Sequence, residues 1–228
     1  MIMRLKSPLP LIQLQSKKIK FINFIKLTFL STLIGLLSAC ATTLNTSAPP
    51  IPKDKNIAWQ HYQQQLTPKT HWQLQGIAAV RYHQQAEQAN LNWTQQGPHS
   101  YQISLSGPLG IGEVRLIHRQ GEYSFTDSHG KTTHASSAQL LMQNLLGWSL
   151  PVKGLYYWVR GLADPNASYQ KTLDIYGRLA SLQQAGWQIN YLRYQWRDGL
   201  PLPTLIRLKN QRLWLKIAIS DWQAFAQK

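Results

Sequence analysis

The chain has 228 residues, 24 Lys and Arg against 9 Asp and Glu, a formal net charge of +15 and a single cysteine. No Arg-Lys cluster or RNA-binding motif accompanies that charge, so nucleic-acid binding is disfavoured. One cysteine leaves no internal disulfide framework, and nine acids, no two forming a recognisable pair, offer little for acid–base catalysis.

Residues 1–39 hold six basic residues (Arg4, Lys6, Lys17, Lys18, Lys20, Lys26) and no acid, and within them Leu27 to Leu37 reads LTFLSTLIGLL. A basic lead, a short apolar run and then small residues make a secretory signal, and the run is too short to span a bilayer. It ends Leu37-Ser38-Ala39-Cys40. This resembles the lipobox of bacterial lipoproteins, in which the cysteine thiol receives diacylglycerol and the chain is cut before it. The alternative is an ordinary signal peptidase site with a stray thiol. Lipidation uses up Cys40, so the mature chain would fold by packing alone in an oxidising compartment. Residues 40–228 keep eighteen basic and nine acidic residues, a net +9. Such an excess suits an acidic protein or anionic lipid.

Residues 40–55 are rich in Thr, Ser and Pro and read as the lipidated cysteine with a flexible tether, leaving 56–228 as one domain. Ile57 to Leu66 is a helical candidate with Asn56 as its cap. Then the period changes to two. Trp72, Leu74, Gly76, Ala78, Val80 and Tyr82 share one face of a strand; Ala89, Leu91 and Trp93 follow, then Tyr101, Ile103 and Leu105, then Val114 and Leu116, then Tyr123 and Phe125. Short Gly- and Pro-containing connections between them suit an antiparallel meander. Ser136 to Leu146 has helical spacing, with Ser136 or Ser137 to cap it and Gly147 at its end. A second helix is expected over 153–161. Strands return at 178–184, 187–196 and 204–209, and the last carries Leu213, Leu215, Ile217 and Ile219 on one face.

No GxSxG, HExxH or helix-opening phosphate loop is present, and His129 and His134 are badly spaced for one metal, so neither cofactor nor metal is expected. Large apolar side chains are abundant: 9 Trp, 10 Tyr and 5 Phe. They could fill a closed core or enclose a gap for a lipid chain. The segment Ser106 to Gly112 joins two strands, where a polar turn belongs, yet it frames Leu109 in Pro and Gly. That leucine either folds back onto the core or stands out as an apolar finger.

Three stretches carry a resemblance. The first is Leu91-Asn92-Trp93 through Leu105 to Gly107-Pro108-Leu109-Gly110, with Glu113-Val114-Arg115-Leu116 after it. The second is Gly147-Trp148-Ser149-Leu150-Pro151 with Leu155-Tyr156-Tyr157-Trp158-Val159-Arg160-Gly161-Leu162. The third is the final pair of strands, closing Leu215-Lys216-Ile217 and Asp221-Trp222. With the lipobox and the order of elements, they make the chain similar to LolB, the outer-membrane lipoprotein receptors of Gram-negative bacteria. The resemblance implies a mainly β fold with short helices (α+β): an incomplete antiparallel β-barrel covered by short helices around a hydrophobic cavity. It implies a non-enzymatic receptor at the periplasmic face of the outer membrane. The receptor accepts lipoproteins from a periplasmic carrier of the LolA kind and passes them to the membrane. Leu109 would match the family's exposed loop residue linked to membrane insertion, and Ala41 after the lipidated cysteine fits outer-membrane delivery. The expected cavity lining is Trp72, Leu74, Leu91, Trp93, Ile103, Leu105 and Phe125 from the strands, with Leu141, Leu145 and Trp158 from the helices. The chain is expected to act as a monomer. The competing readings are an envelope interaction lipoprotein with a closed core and no lipid transfer, and, with no residues to support it, an envelope enzyme.

Overall fold

Alternating residues dictate a sheet, and the computed structural model, which describes residues 50–223 apart from Asp198, contains eleven strands of it. The basic lead, Cys40 and Ala41 lie outside the described residues. The strands are β1 (His71–Tyr82), β2 (Gln85–Gln96), β3 (Tyr101–Ser106), β4 (Val114–Arg119), β5 (Glu122–Thr126), β6 (Thr132–Ala135), β7 (Tyr169–Leu173), β8 (Leu179–Gln184), β9 (Trp187–Arg197), β10 (Leu200–Lys209) and β11 (Leu213–Gln223). They run in the order β6-β5-β4-β3-β2-β1-β11-β10-β9-β8-β7, with antiparallel pairing throughout. Two meanders therefore join through their first and last strands, with Ala78 opposite Ile217. The outer strands β6 and β7 do not pair with each other, so the sheet stays open. Close contact at the β1–β11 seam requires Gly76: a Cβ there would lie 2.1 Å from the Ala218 carbonyl oxygen.

Among the described residues, three short helices accompany the sheet. Helix α1 (Lys55–Leu66) is capped by Asp54 rather than Asn56: the Asp54 carboxylate accepts from the Asn56 amide at 2.7 Å and the Ile57 amide at 3.2 Å. Both residue types cap well; the helix begins early enough to set Trp59, Tyr62 and Leu66 on the side facing the protein, which leaves Ile57 exposed. Helix α2 (Ala138–Leu146) is capped by Ser137, whose hydroxyl accepts from the Leu140 amide, and stops at Gly147 in the left-handed region, φ +76°. Helix α3 (Val152–Trp158) is shorter than its apolar spacing suggests and passes into turns at Val159–Gly161.

Strands β6 and β7 were not expected, and β10 begins at Leu200 instead of Thr204. That strand carries Pro201 and Pro203, and its register against β9 shifts beside Pro203. A proline lacking its N–H is tolerated at such an irregularity. The Pro203 carbonyl is used there, accepting from Trp222 Nε1 at 2.9 Å.

Candidate functional site

The inward face of the sheet meets two different interiors. On the β8–β11 side the space is filled by Leu179, Leu182, Ile189, Leu202, Ile206 and Leu208, together with Trp72, Trp158 and Trp222. A buried cation holds this region to the helices. Arg160 donates from Nε to the Tyr156 carbonyl (3.0 Å) and from Nη1 to the carbonyls of Leu66 (3.1 Å) and Lys69 (2.9 Å). Its guanidinium lies 4.0 Å from the Tyr156 ring centroid. Burial pushes its pKa down, but guanidinium stays charged, so the three carbonyls and the ring stand in for a counter-ion.

Under β1–β5 the interior is hollow. An apolar cavity of about 290 Å³ is walled by Leu91, Trp93, Ile103, Leu105, Val114, Leu116 and Phe125, with Leu215 and Ile217 from β11. Met142, Trp148, Leu150, Val152 and Leu155 cover it from the helical segment. Small residues make the room. Ala78 faces Ala89 across the β1–β2 pair, and Val80 is the next inward residue on β1; all three line the space. Where a leucine or tryptophan would reach the opposite wall, a methyl group does not.

Five of the ten expected lining residues meet at this cavity: Leu91, Trp93, Ile103, Leu105 and Phe125. Trp72 and Leu74 occupy the same strand face as Ala78 but lie further along β1, inside the packed region, and they do not line the cavity. Trp158 is likewise packed, donating from Nε1 to Gln184 Oε1 at 2.8 Å. Leu141 is buried beside the cavity, and it is Met142, the next residue of α2, that reaches the wall. Leu145 is 44% exposed. It shares the angular face of Ala138, Leu141 and Met142, but spacing fixes angle and not axial reach, and Leu145 does not line the cavity. Among the lining residues that pattern reading did not name as such are Ala78 and Val80, too small to draw notice, and the Trp148–Leu155 cover, of which only the part from residue 153 onward was read as helix.

One end of the cavity adjoins an unusual loop. Ser106, Gly107 and Gly112 line the cavity, and between them a single 3₁₀ turn, Pro108–Gly110, presents Leu109. That side chain is 97% exposed and Ile111 is 72% exposed, so neither folds back onto the core. Leu109 adopts φ +58°, a left-handed conformation that costs a non-glycine residue about 1–2 kcal/mol. The loop base is fastened regardless: Gly107 N donates to the Ile111 carbonyl (2.8 Å), and Asn90 Nδ2 donates to the Gly107 carbonyl (3.0 Å). Strain held by a fixed base keeps an apolar side chain in solvent beside an apolar opening.

A family model described as "Outer membrane lipoprotein LolB" matches residues 70–222. The chain belongs to the LolB family. The matched span runs from β1 to β11 and takes in the cavity, its cover and the Leu109 loop, while α1 precedes it. The chain is 37% identical over 200 residues to the outer-membrane lipoprotein LolB of Pseudomonas savastanoi pv. phaseolicola, covering 88% of this chain and 97% of that one. To the LolB of Pseudomonas aeruginosa PAO1 it is 37% identical over 199 residues, 87% of this chain and 96% of that one. To that of Francisella tularensis subsp. novicida it is 38% identical over 192 residues, 84% and 90% of the two chains. Among solved structures, a LolA superfamily protein from Nitrosomonas europaea aligns with a TM-score of 0.48 and 8% identity, over 76% of this chain and 94% of its own. LolB membership makes the chain an outer-membrane lipoprotein.

Proposed function

We propose that the chain is an outer-membrane receptor for lipoproteins. It takes them from a periplasmic carrier of the LolA kind and releases them into the outer membrane, itself tethered through lipid on Cys40. It works by non-covalent binding and needs no catalytic group. The observation that carries this reading is the apolar cavity of about 290 Å³ that opens at the base of the exposed Leu109 loop. The cavity supplies a place for acyl chain, at roughly 0.8 kcal/mol for each CH₂ buried. The loop supplies an apolar residue that loses nothing by leaving water for a bilayer. Moving a chain from one apolar cavity to another changes its free energy little. Direction therefore comes from a better final environment, the membrane, reached on the side where Leu109 stands. The +9 charge of residues 40–228 suits docking on an acidic carrier. The cavity lies at the lower edge of ligand-sized pockets, so a ligand with several chains requires the Trp148–Leu155 cover to shift outward.

The test separates holding from delivering. Leu109→Asp touches no packed neighbour, so the chain should unfold at the same denaturant concentration, within about 0.5 kcal/mol, and should bind an acylated peptide as before. Transfer of that peptide into vesicles should fall steeply. Normal delivery by the Leu109→Asp chain would remove the loop from the mechanism.

A further inference from the structure

The inward faces of β2 to β5 form cross-strand rows, and the rows differ. Next to the Leu109 loop stand Leu91, Leu105 and Val114, each opposite the next. Then come Trp93, Ile103, Leu116 and Phe125, in register across four strands. Both rows line the apolar cavity. Two residues further along every strand the row is Gln95, Tyr101, His118 and Tyr123, again in register. This third row lines a separate pocket of about 400 Å³, closed on the other side by the start of α2 (Ser137, Ala138, Gln139) and by Lys153 and Tyr156 of α3. Val152 lines both spaces. The two pockets are thus neighbours on one sheet face, and the polar one is at the end away from Leu109.

The polar row is equipped to bind. His118 is only 7% exposed, stacked on Tyr123 with ring centroids 4.0 Å apart and planes 5° from parallel. Neither its ring nitrogens nor the Tyr101 hydroxyl has a hydrogen-bond partner among the described residues, and both side chains line the pocket. Their polar atoms are not fully buried and keep contact with the pocket space, where a ligand or water can complete them. Gln95 is already engaged, accepting from Trp93 Nε1 (2.9 Å) and donating to the Gly97 carbonyl (2.6 Å). The Ala138 and Gln139 amides have no partner inside their own helix, the Leu140 amide being held by the Ser137 hydroxyl, and both residues line the same space. Burial, with His99 and Lys153 nearby, holds the His118 pKa below its usual value, so the imidazole is neutral, with one donor and one acceptor. Lys153 and His99 are exposed on the rim, and Asp164 shares the wall, so the pocket is not built for an anion.

We propose that this pocket receives the uncharged polar head of the acylated ligand, the ester and amide groups where its chains join the lipidated cysteine, with the chain ends directed towards the Leu109 loop. The proposal rests on the cavity holding acyl chain. Ester and amide carbonyls accept from Tyr101, His118 and the α2 amides, and the ligand's amide N–H has the second His118 nitrogen to donate to. A ligand so held enters the bilayer chain-end first, on the side where the exposed leucine stands.

The experiment uses the full chain, purified from membranes into amphipol, with three probes: diphenylhexatriene, a diacylglyceryl-cysteinyl tetrapeptide and phosphatidylglycerol. Tyr101→Phe and His118→Phe each keep the ring and remove hydrogen-bonding capacity. Each should weaken tetrapeptide binding about 3- to 10-fold, the effect of one lost neutral hydrogen bond. Diphenylhexatriene binding should not change. Unchanged tetrapeptide affinity, or a larger loss for phosphatidylglycerol than for the tetrapeptide, overturns the proposal. If the unaltered chain binds neither diphenylhexatriene nor tetrapeptide, the cavity reading has failed and this one with it. Photo-crosslinking on the unaltered chain checks orientation without any variant. A diazirine at the acyl terminus should label Leu105 or Gly107, and one on the first peptide residue should label Gln139 or Lys153. The reverse pattern refutes the assignment.

Discussion

On the β8–β11 side of the sheet, Trp72, Trp158, Trp222, Leu182, Ile189 and Ile206 all lie at 2% exposure or less, whereas under β2–β5 Ile103, Leu105 and Val114 stay only half buried around open space. Both sides are written in the same alternating code. The difference lies in what stands opposite. On the full side, helices α1 and α3 and the Arg160 guanidinium press onto large side chains; on the hollow side, Ala78 and Ala89 withhold the volume that would close the gap. Stability is thus kept in one half of the sheet and vacancy in the other.

Removing the buried cation should have the largest effect. Arg160→Ala takes the side-chain donor from three carbonyls, leaving that of Leu66 with the Lys69 amide alone, and should cost the chain roughly 3–5 kcal/mol in urea unfolding. A loss below about 1 kcal/mol would mean that Arg160 is a passenger in the packed half. The second comparison applies one change to both halves. Ile206→Ala leaves a cavity in a filled core and should cost about 3–4 kcal/mol, while Ile103→Ala enlarges space already open and should cost about 1 kcal/mol. Equal costs would show that the two halves are not energetically distinct. The third fills the vacancy. Ala78→Phe places a ring in existing room, so stability should stay within about 1 kcal/mol while uptake of an apolar dye falls about tenfold or more. Undiminished uptake would place the dye elsewhere.

Alternation made β1 to β5, β9 and β11 legible, because each buries one face and wets the other. It was silent on β6 (Thr132–Ala135) and β7 (Tyr169–Leu173), which carry little apolar content and lie at the sheet's edges, held by backbone pairing to one neighbour. Pro201 and Pro203 argued against the start of β10 until the register shift beside them gave them a place. For the site the limit is of another kind. The pattern says that Trp72, Leu91 and Ile103 all point inward, but not whether the space they point into is filled. That depends on Ala78, on Trp148 and on where α2 ends, and strand periodicity encodes none of these. The Leu109 loop was legible for the opposite reason: a leucine framed by Pro and Gly in a turn breaks a local rule, and the structure leaves it in solvent.

The smallest effect expected comes from His118, at the polar end of the hollow half. Tyr101 and Tyr123 enclose it from the neighbouring strands, burial is the main cause of its lowered pKa, and the nearby His99 and Lys153 act in the same direction. In the unfolded chain a histidine titrates near pH 6.5. As pH falls through that value the unfolded chain takes up a proton that folded His118 refuses, so stability is lost; above it both forms are neutral and the group contributes nothing. His118→Phe keeps a ring in the stack and abolishes that proton uptake. Urea unfolding at pH 7.5 and pH 5.5 should therefore show a smaller acid-induced loss in the variant than in the unaltered chain. An identical loss in both would mean that the imidazole is free to protonate in the folded state. The polar row would then be open to water rather than enclosed beside the apolar cavity.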